Sequence, residues 1–303
     1  MRRTLAFVLG GGGARGALQV GALRALLESG YHPDLLVGTS IGAVNASFLA
    51  IHGVSLKTID TLVEAWYDAA AAELLPQNYL WLILRSILNR PTIDPYHRMR
   101  EFFLSHGLTT EMRFGDIAGV RLALVATDLN NGCPHVYGQD PDQLVLEGLL
   151  ASTALPPWIR PIELNGHTLM DGGLVSTLPV EPALRLGANE IIALDLIDPR
   201  GTTAESFQIG SFMGKLIYSV EQRNSDLEVA LAQAKRVPVH RICLRWDEQI
   251  PVWDFEHTDT LIAHGEAIAR LEIATWQSPR KAWWSRWLGL DDRSKTSRLK
   301  KED

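Results

Sequence analysis

Thr4-Leu5-Ala6-Phe7-Val8-Leu9-Gly10-Gly11-Gly12-Gly13-Ala14-Arg15-Gly16 is followed, one helical pattern later, by Leu35-Leu36-Val37-Gly38-Thr39-Ser40-Ile41-Gly42. Thr4 to Leu9 is almost continuously apolar and closed by glycines, the pattern of a short strand buried on both faces. From Ala17 to Glu28, Leu18, Gly21, Ala22, Ala25 and Leu26 recur at helical spacing, and Gly30 stands where a C-terminal cap is needed. Leu35-Leu36-Val37 predicts a second strand, and Ile41 to Ile51 a helix rich in small residues. Strand, glycine loop, helix, strand, tight turn, helix is the order of a parallel sheet covered by helices. The expected class is therefore α/β.

The rest of the chain extends this order. Residues 57 to 106 read as helical, broken near Pro76 and at Pro91 and Pro95. Val120 to Ala126 predicts a strand, and Asn131-Gly132 a hairpin turn into His135-Val136-Tyr137. Leu144 to Ala154 reads as a helix ended by Pro156-Pro157. Glu190 to Leu196 and Val239 to Leu244 predict buried strands, and Phe207 to Lys235 and Thr258 to Trp276 long amphipathic helices. No internal repeat or linker interrupts Gly10 to Trp276, so the expected organisation is one domain over residues 1–276 and a tail over 277–303.

Composition narrows the function classes. With 46% apolar residues, 25 Gly and 15 Pro in 303, a disordered or low-complexity chain is excluded. Two cysteines, Cys133 and Cys243, build neither a disulfide framework nor a Cys-rich zinc site. The histidines show no H-x-x-x-H or similar ligand spacing, so no metal is expected, and no cofactor. A net charge of −6 argues against nucleic acid as a partner. That charge is uneven: residues 280–303 hold eight Lys or Arg against four Asp or Glu. Four of the nine Trp fall between Trp276 and Trp287. Met1-Arg2-Arg3 before an apolar run resembles the start of a secretory signal, but Gly10 to Gly13 and Arg15 break the run. The longest other apolar run, Tyr79 to Leu84, stops at Arg85, short of a membrane span. The expected location is the cytoplasm, with peripheral contact at the inner membrane surface.

Three local features carry chemistry. Gly10 to Gly13, with Ala14-Arg15-Gly16, leaves backbone N–H groups uncovered by Cβ atoms at the start of a helix, a cradle for an anion. Gly11, Gly13 and Gly16 also match the dinucleotide fingerprint G-x-G-x-x-G. That reading needs an acidic residue closing the second strand, whereas Asp34 precedes Leu35-Leu36-Val37. Gly38-Thr39-Ser40-Ile41-Gly42 is G-x-S-x-G at a strand-to-helix junction, a turn so sharp that small residues flank the exposed Ser. As a simple helix N-cap, Ser40 would be unremarkable, but a donor loop one βα unit earlier favours a nucleophile. Asp171-Gly172-Gly173 places an acid at the end of an expected strand, where the alternative is an ordinary Asp-Gly turn.

Together these motifs resemble the patatin-like phospholipase family. The resemblance runs from Leu5 to about Leu196. It includes the glycine loop, Gly38 to Gly42, Ala126-Thr127-Asp128-Leu129 with Gly132, Ala151-Ser152-x-Ala154-x-Pro156, and Asp171-Gly172-Gly173 with Pro179. It implies a three-layer α/β fold with a mainly parallel central sheet covered by helices, and hydrolysis of lipid acyl esters such as (lyso)phospholipids. It further implies Ser40 as nucleophile, Asp171 as base, and Gly11, Gly12 and Gly13 as an oxyanion hole with Arg15 beside it. Gly38, Gly42, Gly172 and Gly173 support the two catalytic turns. The family often carries Asn after its Asp-Gly-Gly, where this chain has Ser176 and Thr177.

Two other readings compete. A Ser-His-Asp hydrolase would use Ser40, Asp171 and one of His240, His257 or His264. A lipid-binding module would keep the pocket with little turnover, although Ser40 and Asp171 are both retained. Two segments read as lipid-facing: Leu75 to Leu88 as a cap or membrane-contact helix, and Arg280 to Leu288, where Trp alternates with cations, as a peripheral anchor. The alternatives are a buried helix for the first and a Trp-anchored helix on the domain for the second.

Overall fold

The computed structural model describes residues 3–72, 95–156, 158–198, 209–248 and 250–277. The expected cap or contact segment Leu75 to Leu88 and the tail beyond residue 277 lie outside these.

The opening stretch folds as its pattern requires. β1 (Leu5–Leu9) leads through a 3-10 turn at Gly13–Gly16 into α1 (Ala17–Glu28), and β2 (Leu35–Thr39) leads into α2 (Ile41–His52). Gly30 adopts φ +82° just past α1, closing it with an amide bond to Leu27 O at 3.0 Å. Asp34, at the wrong end of β2 for a dinucleotide site, has a structural task. Its carboxylate accepts the Leu5 amide at 2.9 Å and its own amide donates to Leu5 O at 2.8 Å, aligning β1 with β2.

The remaining elements are α3 (Leu56–Ala71), α4 (Pro95–Ser105), β3 (Arg121–Asp128), β4 (Cys133–Tyr137), α5 (Val145–Ser152), β5 (Ile162–Leu164), β6 (His167–Asp171) and α6 (Gly173–Ser176). They are followed by α7 (Val180–Arg185), β7 (Glu190–Ile197), α8 (Ile209–Ala234), β8 (Val239–Arg245) and α9 (Thr258–Gln277). The expected strands and hairpin are present with ends shifted by a residue or two. The hairpin turn is pinned by Asp128, whose carboxylate accepts from the Asn130 amide, Asn131 Nδ2 and the His167 ring at 2.7–2.9 Å. The Asn131 bond leads the contacts that lower the Asp128 pKa to about 2, against the opposing effect of burial.

All eight strands form one sheet of order β5-β6-β3-β2-β1-β7-β8, with β4 paired to β3. The strands β3-β2-β1-β7-β8 run parallel; β4, β5 and β6 are antiparallel additions. Alternation along β1 separates two cores. Leu5, Phe7 and Leu9 join the larger core with α1, α2 and α3, whereas Ala6 and Val8 face Leu178, Val180, Ala183 and Ala232 from the other layer. The fold is therefore three-layered, with a mixed but mainly parallel sheet.

One register detail positions everything that follows. β3 pairs with β2 over Arg121 to Val125 and with β6 over Ala126 to Asp128. β4 pairs with Leu124 to Asp128 and so occupies the opposite edge. β2 and β6 therefore share one edge of β3, end to end. Thr39 lies opposite Val125, and Asp171 opposite Ala126.

Helices α1 and α9 cross closely enough to exclude side chains. A Cβ on Gly265 would fall 2.0 Å from Leu18 O, and one on Gly21 would fall 1.9 Å from Ile262 O. Gly265→Ala should force the helices apart at a cost of about 1–3 kcal/mol, the usual scale for overpacking. Thermal unfolding should show a midpoint lowered by at least about 3 °C.

Candidate active site

Ser40 occupies the N-cap position of α2 with φ 55° and ψ −124°, and its hydroxyl makes no capping bond. A non-glycine residue there is strained by about 1–3 kcal/mol, so its surroundings must hold it. Three contacts do so. A Cβ on Gly38 would fall 2.4 Å from Gly42 O, and one on Gly42 would fall 2.2 Å from Leu9 O, so the turn closes only with glycine at both places. The Ser40 amide donates to Ser152 Oγ at 3.0 Å, and Ser152 in turn donates to Val125 O at 2.6 Å. Thr39 Oγ1 donates to Ser176 O at 2.8 Å, tying the elbow to the turn after Asp171.

Asp171 ends β6 and is 4% exposed. Its backbone is fixed on both sides, the amide donating to Ala154 O at 2.9 Å and the carbonyl accepting Thr127 Oγ1 at 2.7 Å. Oδ1 accepts the Gly173 amide at 2.8 Å. Oδ2 is buried without a partner of full hydrogen-bond geometry among the described residues. Burial raises the pKa of Asp171 to about 6, while the nearby Ser40 hydroxyl and the Gly173 amide act in the opposite direction. Gly172 is needed because a Cβ there would meet Val125 O at 2.2 Å.

The glycine loop lies against this pair. A Cβ on Gly11 would come within 3.3 Å of Ser40 Cβ. A Cβ on Gly12 would fall 2.7 Å from Leu196, and Gly13 has φ +58° with Val252 at 2.5 Å from its Cβ position. The amide assignment needs a correction. Gly11 N–H already donates to Thr177 O at 2.9 Å, which leaves the Gly12 and Gly13 amides without a backbone acceptor among the described residues. Arg15 braces the loop rather than facing Ser40. Its Nε donates to Gly12 O at 3.2 Å and its guanidinium pairs with Asp198 at 2.8 Å, with only 7% of the side chain exposed.

Sequence reasoning passed over two supports. One is a buried amide chain in which Trp66 donates to Asn45, Asn45 to Gln19, and Gln19 to Gly10 O, at 3.0, 3.0 and 2.8 Å. It joins α3, α2 and α1 to the glycine loop. The other is Glu228 on α8, which accepts Ser176 Oγ at 2.6 Å and the Glu181 amide at 2.7 Å. Burial raises its pKa to about 7 despite these donors. Ser176 thus holds the segment after Asp171 where the family often has Asn. Polar residues at helical spacing are the only trace of either network in the sequence.

Two cavities meet at Ser40 and Asp171. One, about 110 Å³, is lined by apolar side chains including Val44, Phe48, Leu62, Trp66, Met99 and Phe103. The other, about 490 Å³, is polar and bounded by the glycine loop, Asp198, Tyr218, Glu221, Gln222 and a Trp158–Trp253 pair with ring centroids 5.4 Å apart. His240, His257 and His264 line neither. His240 packs on Trp276 at 4.6 Å, His257 lies 3.8 Å from Asp254, and His264 packs edge-on to Trp246 at 5.1 Å.

A strained serine at a strand-to-helix turn, a buried carboxyl group beside it and uncovered loop amides make up the layout of an α/β serine hydrolase. Comparison with known proteins names the family. The sequence description "Patatin-like phospholipase" matches residues 7–184, and the chain belongs to that family. It is 31% identical over 198 residues to the Drosophila melanogaster protein "Neuropathy target esterase sws", covering 64% of this chain and 13% of that protein. It is 30% identical over 196 residues to "Uncharacterized protein YqhO" of Bacillus subtilis, covering 57% of this chain and 64% of that protein. The chain thus spans a small part of its animal relative and about two thirds of the bacterial one. Among solved structures it is similar to VipD from Legionella pneumophila, with a TM-score of 0.49 and 14% identity over 91% of this chain and 67% of that one.

The raised pKa of Asp171 has a stability consequence. The unfolded carboxyl ionises near pH 4 and the folded one near pH 6, so the folded state binds more protons between them and wild-type stability falls as pH rises through that window. Asp171→Asn carries no such charge. It should be more stable than wild type at pH 8, by up to roughly 3 kcal/mol, and the gain should vanish near pH 4. Denaturant unfolding at the two pH values measures this.

Proposed function

We propose that this chain hydrolyses acyl esters of lipids, with Ser40 as nucleophile and Asp171 as its base. The carrying observation is the placement of a strained Ser40 and a buried Asp171, one oxygen unpartnered, at the junction of an apolar and a polar cavity. Ser40 Oγ attacks the ester carbonyl carbon as its proton passes to Asp171 Oδ2. The carbonyl oxygen, now an oxyanion, meets the amides of Gly12 and Gly13, contacts of a kind whose loss costs about 3 kcal/mol. Collapse of the tetrahedral adduct breaks the bond to the alcohol oxygen, which takes the proton from Asp171. Water then attacks the acyl-serine carbonyl, gives its proton to Asp171, and the fatty acid leaves as Ser40 recovers a proton.

The cavities divide the substrate. The acyl chain fits the apolar side beside Phe48, Leu62 and Phe103, and the polar side admits the alcohol, in a (lyso)phospholipid the headgroup portion. The family's description as phospholipases supports this substrate class. A base with a pKa near 6 is ionised at neutral pH and still basic enough to accept a proton. The positions of His240, His257 and His264 favour the pair over a triad.

Among the described residues no helix is long and apolar enough to cross a membrane. Peripheral attachment through residues 280–288 is part of this proposal, on their alternation of Trp and cations.

A fluorophosphonate probe should label one serine in the wild type and none in Ser40→Ala; labelling that persists in the variant overturns the nucleophile assignment. Asp171→Asn should lower kcat by about 10² or more, while His240→Gln, His257→Gln and His264→Gln stay near wild type. A His variant as inactive as Ser40→Ala would decide for the triad. Wild-type kcat/KM should rise with pH through about 6, as Asp171 ionises.

A further inference from the structure

Helix α8 is amphipathic in the inverted sense. Leu216, Val220, Leu227 and Leu231 stand four, seven and four residues apart. At about 100° per residue they fall within roughly 60° of the helix circumference, a stripe about 22 Å long. This stripe faces outward, its members 48%, 41%, 49% and 37% exposed. The inward face carries Tyr218, Glu221 and Gln222, which wall the polar cavity. Single exposed apolar residues are ordinary on a protein surface, but an ordered row along a helix is not.

The row reaches the catalytic cavity. Ile217, between the stripe and the polar wall, is 44% exposed and also lines the cavity. Beside it, Leu174 on α6, two residues beyond Gly172, is 38% exposed and is held by Asn224 Nδ2 donating to its carbonyl at 3.3 Å. Within the stripe stands one exposed cation, Arg223. The flanking Asp226 is already paired with Arg241 at 2.8 Å.

We propose that the outward face of α8, with Ile217 and Leu174 at its edge, is the surface by which the enzyme lies on an anionic lipid bilayer, the mouth of the polar cavity against it. This rests on the acyl-lipid reading for the reason the mouth should face a bilayer. A helix lying in the interface buries its apolar side among acyl chains and headgroups while cations meet anionic lipid. A second copy of the chain fits less well. A two-fold contact of stripe on stripe would be centred close to Arg223, midway between Leu216 and Leu231, and would bring two guanidinium groups together. It would also cover Ile217 and Leu174, closing the cavity.

The test is flotation of the full chain with vesicles of phosphatidylcholine, with and without phosphatidylglycerol. It compares wild type with Val220→Glu/Leu227→Glu, with Arg223→Glu, and with the control Leu271→Glu, which alters an exposed apolar residue of α9 outside the patch. The double variant should bind mixed vesicles about tenfold more weakly or worse, and Arg223→Glu should lose the preference for anionic lipid. Both should keep wild-type thermal stability and wild-type turnover of a soluble short-chain ester. Leu271→Glu should bind as wild type does. Wild type that does not float, or a double variant that floats as wild type does, overturns the proposal. So does a double variant that changes only oligomeric state by light scattering, since a second copy would then cover the stripe. Binding is read without turnover. A soluble-ester activity that survives in Ser40→Ala would therefore sink the hydrolase reading and leave the binding result intact.

Discussion

Ser40 and Asp171 meet because two strands share one edge of a third. β2 pairs with the first part of β3 and β6 with the last, so the two strands run toward each other and end at adjacent rungs, Val125 and Ala126. Both catalytic candidates sit where a strand stops, and the sheet fixes the distance between their backbones. The nearby connections follow from this junction. Ser152 reaches from α5 to bridge Val125 O and the Ser40 amide, and Gly172 presses on Val125 without room for a side chain. Backbone hydrogen bonds are more rigid than side-chain contacts, so the geometry is set before either functional side chain is placed.

Two unfavourable local states are held at this junction. Ser40 has a backbone conformation that costs about 1–3 kcal/mol. Asp171 is buried with one oxygen unsatisfied, which makes its ionised form costly. Each is functional in the same reaction: the strain exposes the hydroxyl, and the unpartnered oxygen is free to take its proton. The rest of the site shows the opposite policy. Gln19, Asn45, Trp66, Ser152, Thr39 and Ser176 all have buried polar atoms in hydrogen bonds. Satisfaction around the site is what allows the two exceptions to persist.

The elbow and the glycine loop were legible in the sequence because their constraints are local. Gly38 and Gly42 flank Ser40 by necessity of one turn, and β1 and β2 carry the continuous apolar runs of strands buried on two faces. Asp171 was legible only through its place in a motif, since nothing within β6 reveals which strand it will adjoin. The sharing of the β3 edge is a relation among residues 35–39, 121–128 and 167–171, and no periodicity encodes it. The division of labour in the glycine loop was hidden for a similar reason. Gly11 differs from Gly12 and Gly13 only because Thr177 O, more than 160 residues away, accepts its amide. Asp34 was read correctly as misplaced for a nucleotide site, while its bond to Leu5 needed the fold.

Helix α8 shows where pattern reading misleads even when the element is right. Its periodicity marks an amphipathic helix, and the default inference turns the apolar side inward. Here the inward side must wall a polar cavity and supply Glu228 to the turn after Asp171, so Tyr218, Glu221, Gln222 and Glu228 take positions a core would give to apolar residues. The apolar positions are displaced outward as a consequence. A helix that serves a water-filled site from within has only its outer face left for leucine and valine. That face is stable in water only at the cost of exposed apolar area, which contact with a lipid surface would remove. The inversion of α8 and the polarity of the cavity it encloses are thus one constraint seen from two sides.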